Sequence, residues 1–271
     1  MDVRWGVAGE YRLADNARPP KPTSYAGDIA VRQPKPLSRR DVLRTATILG
    51  VGSSVLAADT AQAEESAFAA DSGLVTGKLK QLKYEEIPGL LSKAQVTPHY
   101  TAHYGGALKR YLAIEDQMQK LFAGKAAAAG DAHVFALKDR VNRMNSILLH
   151  ELYFDNLTPK PGDAVEGIRE ALTKRFGSLE RWTEDFKTCC MAAAGWGILA
   201  RDAVNGKLYN VSSDLHEIGV LWLGQPLVVC DVYEHAFYVD YQNKKQDYVD
   251  KFVQFLDWNE IDRRWKALQK I

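Results

Sequence analysis

The chain has 271 residues and a mass of 30.3 kDa, a length that allows one or two domains with a sizeable core. Its 35 Lys and Arg residues nearly balance its 34 Asp and Glu residues, and a net charge of +1 gives no basic surface for nucleic acid. Three cysteines are too few for a disulfide scaffold, and no apolar run is long enough to predict a stable membrane span.

Residues 1–63 are predicted to be a disordered region and an export signal rather than part of the fold. Residues 1–37 are rich in proline and have no helical or strand periodicity. Arg39 and Arg40 then precede a weakly apolar stretch, 45–58, and an Ala-Gln-Ala tripeptide at 61–63. These features, in this order, predict a twin-arginine signal, recognition by export machinery and a periplasmic or otherwise exported protein. The alternative is a basic linker before a short core helix, and the length of the n-region leaves open whether Met1 is the true start.

A flexible spacer, 64–78, and a helical domain, 79–160, are predicted next. Residues 93–122 place apolar and aromatic side chains at helical spacing, and residues 133–157 repeat the pattern. The alanine-rich segment 123–130 connects them, so we expect an antiparallel hairpin of two long helices. Pro159, Pro161 and Gly162 mark its end.

Residues 161–271 are predicted to form a small α/β domain. Two helices, 163–176 and 178–194, precede strands at 195–201, 208–212 and 226–231, and helices resume at residue 234. Asn205 and Gly206 predict a two-residue turn between the first two strands. The predicted fold class is therefore α+β: a long-helix hairpin followed by an α/β domain whose three-stranded antiparallel sheet is flanked by helices.

Histidines and one aspartate mark a candidate metal site. Asp231 ends the third strand, and His235 lies one helical turn further on. His150 lies on the inner face of the second long helix, while His99 and His103 share a face of the first. One histidine from each long helix, with Asp231 and His235, gives three imidazoles and one carboxylate. Such ligands suit redox-active iron or manganese as well as zinc.

The segment DVYEHAFYVDYQNKKQDYVDKFVQFLDWNEIDRRW, 231–265, resembles the C-terminal signature of the iron/manganese superoxide dismutases, whose core is D-x-[WY]-E-H-A-[YF]. The segment NSILLHELYFDNL around His150 resembles the family's second-helix ligand segment. Gly195-Trp196-Gly197 resembles its glycine–tryptophan segment. The resemblance covers roughly residues 80–268.

The resemblance implies one iron or manganese ion per subunit, with iron slightly preferred, and solvent as an additional ligand. Alternating reduction and oxidation of the metal would convert superoxide to dioxygen and hydrogen peroxide. The implied metal ligands are His99, His150, Asp231 and His235.

The resemblance also implies residues around the ligands, and a homodimer or homotetramer. Glu234 would reach across the dimer interface, and Tyr238 would line the access funnel. His216, fifteen residues before Asp231, stands where the family has a solvent-bonding glutamine or histidine. The implied set of surrounding residues is His103, His216, Glu234, Tyr238 and Trp196.

Two alignments of the first helix compete. Ser92 lies seven residues before His99, the spacing that the family has from its ligand, and this favours His99. In that alignment Ala107 stands where the family has a gateway tyrosine. The other alignment makes His103 the ligand and places Tyr111 at the gateway.

Two alternative functions remain open. A metal-binding relative with little or no turnover would be consistent with the missing tyrosine. A non-redox metal hydrolase is less favoured, because no general base is evident beside the ligands.

Overall fold

The computed structural model describes residues 70–124 and 130–269. The predicted export signal, 1–63, lies outside the described residues, as do the start of the predicted spacer, 64–69, and the middle of the interhelix loop, 125–129. Among the helices of the described part, none has the length and apolar character needed to cross a bilayer.

The end of the predicted flexible spacer is folded instead. Ser72 caps a short helix, α1 (Gly73–Thr76), by accepting a hydrogen bond from Leu74 N. The backbone N–H of Gly73 donates to Glu151 Oε1 at 2.8 Å, which ties this segment to the second long helix. A buried carboxylate that accepts a backbone N–H cannot be predicted from local composition, which explains the difference.

The first long helix has three parts: α2 (Lys93–Pro98), a π-helical segment (His99–Tyr104) and α3 (Gly105–Phe122). The sequence predicts one regular helix here. Pro98 has no backbone N–H for the α-helical ladder, and Thr101 Oγ1 donates to the carbonyl of Thr97 at 2.8 Å. Both features weaken the α-helical hydrogen-bonding pattern at His99, where the π-helical segment begins. Such π-helical turns are often found at functional sites.

The second long helix, α4 (Asp131–Asp155), packs antiparallel to this first stretch. Ile147 and Leu108 belong to one buried cluster near one end of the pair, and Ala136 and Met118 belong to another further along. Surface ion pairs such as Arg110 with Asp139 join the two helices at 2.6 Å. The hairpin therefore brings His99 and His150 to the same end.

The second part of the chain contains a three-stranded antiparallel sheet, as predicted. Helices α5 (Glu166–Phe176) and α6 (Leu179–Ala192) precede strands β1 (Trp196–Asp202), β2 (Leu208–Ser213) and β3 (Gly224–Asp231). The strand order is β2-β1-β3, and Trp196 at the start of β1 pairs with Asp231 at the end of β3. This register places the tryptophan next to the candidate carboxylate ligand.

Two predicted boundaries are wrong for physical reasons. Helix α5 begins at Glu166 rather than 163, because Asp262 from the last helix accepts the backbone N–H of Ile168 at 3.3 Å. The turn between β1 and β2 spans residues 203–207 rather than two residues. Within it, Asn205 Oδ1 accepts the N–H of Lys207 at 2.8 Å.

Helices α7 (Glu234–Tyr241), α8 (Lys245–Phe252) and α9 (Trp258–Leu268) complete the fold, with a 3-10 turn (Val253–Phe255) before α9. Their apolar faces pack with the sheet, α6 and the end of α4 into one large core. Among its fully buried members are Trp182, Trp196, Tyr153, Phe186, Tyr248 and Phe252. The candidate site lies where this core meets the helical hairpin.

Candidate metal centre

Four elements bring the predicted ligands together. His99 begins the π-helical segment, His150 lies in the last two turns of α4, Asp231 ends β3 and His235 lies in the first turn of α7. Because β3 runs directly into α7, the carboxylate and the last imidazole share one strand-to-helix turn. The other two imidazoles come from facing helices of the hairpin.

The three imidazoles surround one carboxylate oxygen. The Nε2 atoms of His99, His235 and His150 lie 3.0, 3.4 and 3.7 Å from Asp231 Oδ2. One potential ligand atom from each of these four residues lies within 4.8 Å of all the others. His99, His150 and Asp231 are buried, and His235 is half-buried.

Burial and hydrogen bonds set the charge of this cluster. Burial alone would raise the pKa of Asp231, but the adjacent imidazoles of His235 and His99 reverse this and hold the pKa well below its usual range. The N–H of Tyr233 also donates to Asp231 Oδ1 at 3.0 Å. Burial lowers the pKa of His99, and lowers that of His150 to about 3. The cluster therefore contains an ionised carboxylate with neutral buried imidazoles.

Unsatisfied nitrogen atoms indicate what the cluster can hold. His150 Nδ1–H donates to the carbonyl of Ser146 at 2.7 Å, which leaves the Nε2 lone pair for another partner. His150 Nε2 and His235 Nε2 are buried and have no hydrogen-bond partner among the described residues. Buried polar atoms normally have a hydrogen-bond partner, so these two nitrogen atoms indicate a site for an ion or ligand. Three imidazoles and a carboxylate fit an iron or manganese ion.

His103 lies beside this cluster rather than within it. Its exposed ring stacks on that of His235, with centroids 3.7 Å apart, and stands edge-on to His99 at 6.1 Å. Burial of part of the ring lowers the pKa of His103 to about 4. The two histidines of the competing alignments thus have different positions: His99 faces Asp231, and His103 covers His235.

His216 and Trp196 form a pair on the opposite side. Trp196 Nε1 donates to His216 Nδ1 at 3.0 Å, and the buried indole stands edge-on to His150 with centroids 5.2 Å apart. Burial lowers the pKa of His216, which favours the neutral ring. Because Nδ1 accepts this bond, the neutral ring carries its proton on Nε2. The ring centroids of His216 and His150 are 6.3 Å apart.

The remaining predicted residues lie on the surface of α7. Glu234 and Tyr238 are both exposed in the single chain. Tyr233, next to this surface, stacks on His235 with centroids 5.2 Å apart. Tyr104 is buried away from this surface, because its hydroxyl donates to Glu151 Oε1 at 2.7 Å. Ala107 is buried in the hairpin beside Tyr104.

Two polar side chains that the sequence does not predict as functional hold the ligand helices together. Buried Gln95 of α2 donates to the carbonyl of His235 at 2.6 Å and accepts the N–H of Val239 at 2.9 Å. The neighbouring Ser92 donates both its N–H and its hydroxyl to Asp240, at 2.7 and 2.6 Å. A glutamine between Ala94 and Val96 in a helix carries no signal of such a contact in the sequence.

Comparisons with known proteins show which family the chain resembles in sequence. A sequence model described as iron/manganese superoxide dismutases, C-terminal domain, matches residues 164–264. An iron superoxide dismutase of Aquifex pyrophilus is 34% identical over 194 residues, which cover 70% of this chain and 90% of the relative. A manganese superoxide dismutase of Haloferax volcanii is 30% identical over 185 residues, covering 68% and 92%. An iron superoxide dismutase of Cupriavidus metallidurans is 34% identical over 185 residues, covering 65% and 89%.

Proposed function

The chain belongs to the iron/manganese superoxide dismutase family, and we propose that it converts superoxide to dioxygen and hydrogen peroxide at a mononuclear iron or manganese site. The observation that carries this proposal is the arrangement of three imidazole Nε2 atoms around one buried, ionised carboxylate oxygen. Relatives that match most of their own length are named as iron or manganese superoxide dismutases, which supports the same activity.

His99, His150, Asp231 and His235 would hold the metal. The free Nε2 atoms of His150 and His235 and the low pKa of Asp231 support this assignment, because a ligand must offer a lone pair at neutral pH. The ion would supply one-electron chemistry between its +3 and +2 states, oxidising one superoxide and reducing a second. We favour iron slightly, and metal analysis of protein from the native host decides between iron and manganese.

The surrounding side chains would orient and protonate the reactants. His216 would hold a proton at Nε2, supported by the hydrogen bond that its Nδ1 accepts from Trp196. His103, stacked on His235, and the exposed Tyr238 would border the path by which superoxide enters. Superoxide and its protons are small, so a narrow path past these rings would admit them while it excludes larger molecules.

Substitution of one ligand tests the proposal. The His150→Ala variant should lose bound metal and superoxide-dismutating activity while its helical content stays unchanged, since the ring contributes a ligand at a buried site. Metal content by plasma mass spectrometry and activity in a superoxide assay measure both. His133→Ala, at the far end of α4, is the control and should keep both. Full metal occupancy in His150→Ala would contradict the assignment.

A metal-binding relative with little turnover is the second candidate. In the alignment that makes His99 a ligand, Ala107 would stand at the gateway position, and the hydroxyl of the nearby Tyr104 is engaged by Glu151 and by the N–H of Lys80. Neither residue presents a free hydroxyl to the metal cluster. Turnover by fully metal-loaded protein supports the dismutase, whereas full loading without turnover supports the second candidate.

We also propose a homodimer or homotetramer in which Glu234 reaches across the dimer interface. The exposed carboxylate of Glu234, adjacent to His235 at the start of α7, supports this. Sedimentation of the wild type and the Glu234→Ala variant tests it: the variant should dissociate at higher protein concentration. Equal dissociation of the two proteins would contradict the proposal.

Export by the twin-arginine route is a separate proposal, supported by Arg39, Arg40 and the tripeptide at 61–63. That route carries folded cargo, which suits a protein that binds its metal before export. Changing both arginines to lysine should leave the precursor inside the cell. Exported mature protein from the double variant would contradict this route.

A further inference from the structure

We propose that Asn145 is a positioning residue that fixes the backbone of His216, and so fixes the imidazole that Trp196 orients beside the metal centre. The Nδ2 group of Asn145, in α4, donates to the carbonyl of His216 at 2.9 Å. The effect on turnover that we expect rests on the proposed function. The placement of His216 by Asn145 rests only on contacts within this chain.

The loop that carries His216, residues 214–223, is poorly held by packing. It joins β2 to β3, and most of its large apolar side chains are exposed, with Trp222 at 89% exposure. Beneath it lies a cavity of about 130 Å³. Leu148 and Leu149 of α4 line one side of this cavity, and Val220 and Leu221 of the loop line the other. Since side chains do not fill this space, hydrogen bonds must hold the loop.

Other hydrogen bonds hold the two ends of the loop: Asp214 accepts from Ala194 N at 3.0 Å and from the Tyr233 hydroxyl at 3.4 Å, and the carbonyl of Leu223 accepts the N–H of Ala203 at 3.1 Å. None of these three bonds joins the loop to α4, the helix that carries His150.

Ser213 Oγ reaches the carbonyls of Leu215 and Ile218, so it shapes the loop internally. Asn142, one turn before Asn145, donates to the exposed side chain of Glu217. An exposed contact of this kind adds little rigidity, because water competes for both groups.

Asn145 connects His216 to a metal ligand through one rigid helix. His150 lies five residues further along α4, so the Asn145 amide holds the His216 carbonyl at a fixed distance from the His150 ring. Trp196 then orients the His216 ring from the sheet side. Without the amide donor, the His216 carbonyl lacks this partner, the loop can relax into the cavity, and the bond between Trp196 and His216 loosens.

Two substitutions of Asn145 test whether its amide N–H donor holds His216 in place. Asn145→Asp keeps the shape of the side chain but removes the N–H donor, and Asn145→Ala removes the donor without adding charge. The first measurement is the indole 1H–15N resonance of Trp196 in metal-free protein, assigned with Trp196→Phe. Both Asn145 variants should move this resonance toward its position in His216→Ala. The matched control Asn142→Ala, on the same helix, removes the donor to Glu217 without adding charge and should leave the resonance at the wild-type position.

The second measurement uses iron-loaded protein. The Asn145 variants should lose turnover about 10-fold, as is typical when a hydrogen bond that orients a group near a metal is lost, and shift the midpoint potential in the same direction as His216→Ala. A Trp196 resonance that stays at the wild-type position in both Asn145 variants would overturn the proposal, as would an equal displacement in Asn142→Ala. If loaded wild-type protein lacks dismutase activity, the proposed function fails, while the resonance still decides the role of Asn145.

Discussion

His99 and His103 stand four residues apart, yet their surroundings give them different chemistry. His99 is buried against Asp231, whereas the exposed ring of His103 lies flat on His235. Burial lowers the pKa of both rings, to about 4 for His103, so neither carries a charge at neutral pH. A neutral ring over His235 shields the cluster without adding a positive charge that would repel a cation.

Separate substitutions distinguish these two roles. His99→Ala should remove the metal, because the cluster loses one of its three imidazoles. His103→Ala should retain the metal and change only turnover, since its ring contacts His235 and not the carboxylate. Metal content and turnover per bound metal ion measure the difference. If His103→Ala loses the metal and His99→Ala retains it, the alignment that makes His99 the ligand is wrong.

Much of the residue-scale site is predictable from the sequence. Asp231 and His235 belong to one strand-to-helix turn, and helical spacing places His150 on an inner face. The same spacing puts His99 and His103 on one face, so only the family resemblance favours His99 over His103. The sequence could not predict that Tyr104 turns its hydroxyl to Glu151, because that depends on a carboxylate 47 residues away. It also gave no sign that Asn145 contacts the loop of His216.

At the scale of elements, the ligand helices are joined by polar side chains rather than by apolar packing alone. Gln95 and Ser92 of the first helix fasten the first two turns of α7. Periodicity predicts α2 and α7 as helices, but it contains no information on how one is fixed to the other. The same limit explains the start of α5, which Asp262 determines from a distant helix.

Replacement of Gln95 tests this junction. Gln95→Leu leaves the His235 carbonyl and the Val239 N–H without this buried partner, which should lower the free energy of unfolding by about 2–4 kcal/mol. Metal affinity should fall about 10-fold, because α7 carries one ligand. Urea unfolding of metal-free protein and metal titration measure the two effects. Gln254→Leu, whose amide bonds a surface carbonyl, is the control, and equal losses in both variants would contradict this role.

At the scale of the whole molecule, one buried cation connects the last helix to both parts of the chain. The Arg264 guanidinium donates to the carbonyl of Leu227 in β3 at 3.0 Å and to that of Leu152 in α4 at 3.2 Å. Its Nε donates to Glu260 Oε1 at 2.9 Å, which balances the buried charge. The sequence predicts α9 as an amphipathic helix, but a buried arginine contradicts the usual pattern of exposure. Only the tertiary structure explains it.

The ion pair between Glu260 and Arg264 makes the free energy of unfolding depend on pH. Burial would raise the pKa of Glu260, but Arg263 and Arg264 outweigh this and lower it to about 2. A carboxyl whose pKa is lowered on folding stabilises the folded state above its unfolded-state pKa, about 4.3, and this stabilisation is lost as the pH falls toward 2. Glu260→Gln should therefore be less stable than wild type by about 2 kcal/mol at pH 7, with the difference shrinking between pH 4.5 and 2. Urea unfolding of metal-free protein across this range measures it.

Glu85→Gln, from an exposed pair with Lys93, is the control and should show little difference at any pH. A Glu260→Gln deficit that stays constant down to pH 2 would contradict the pairing.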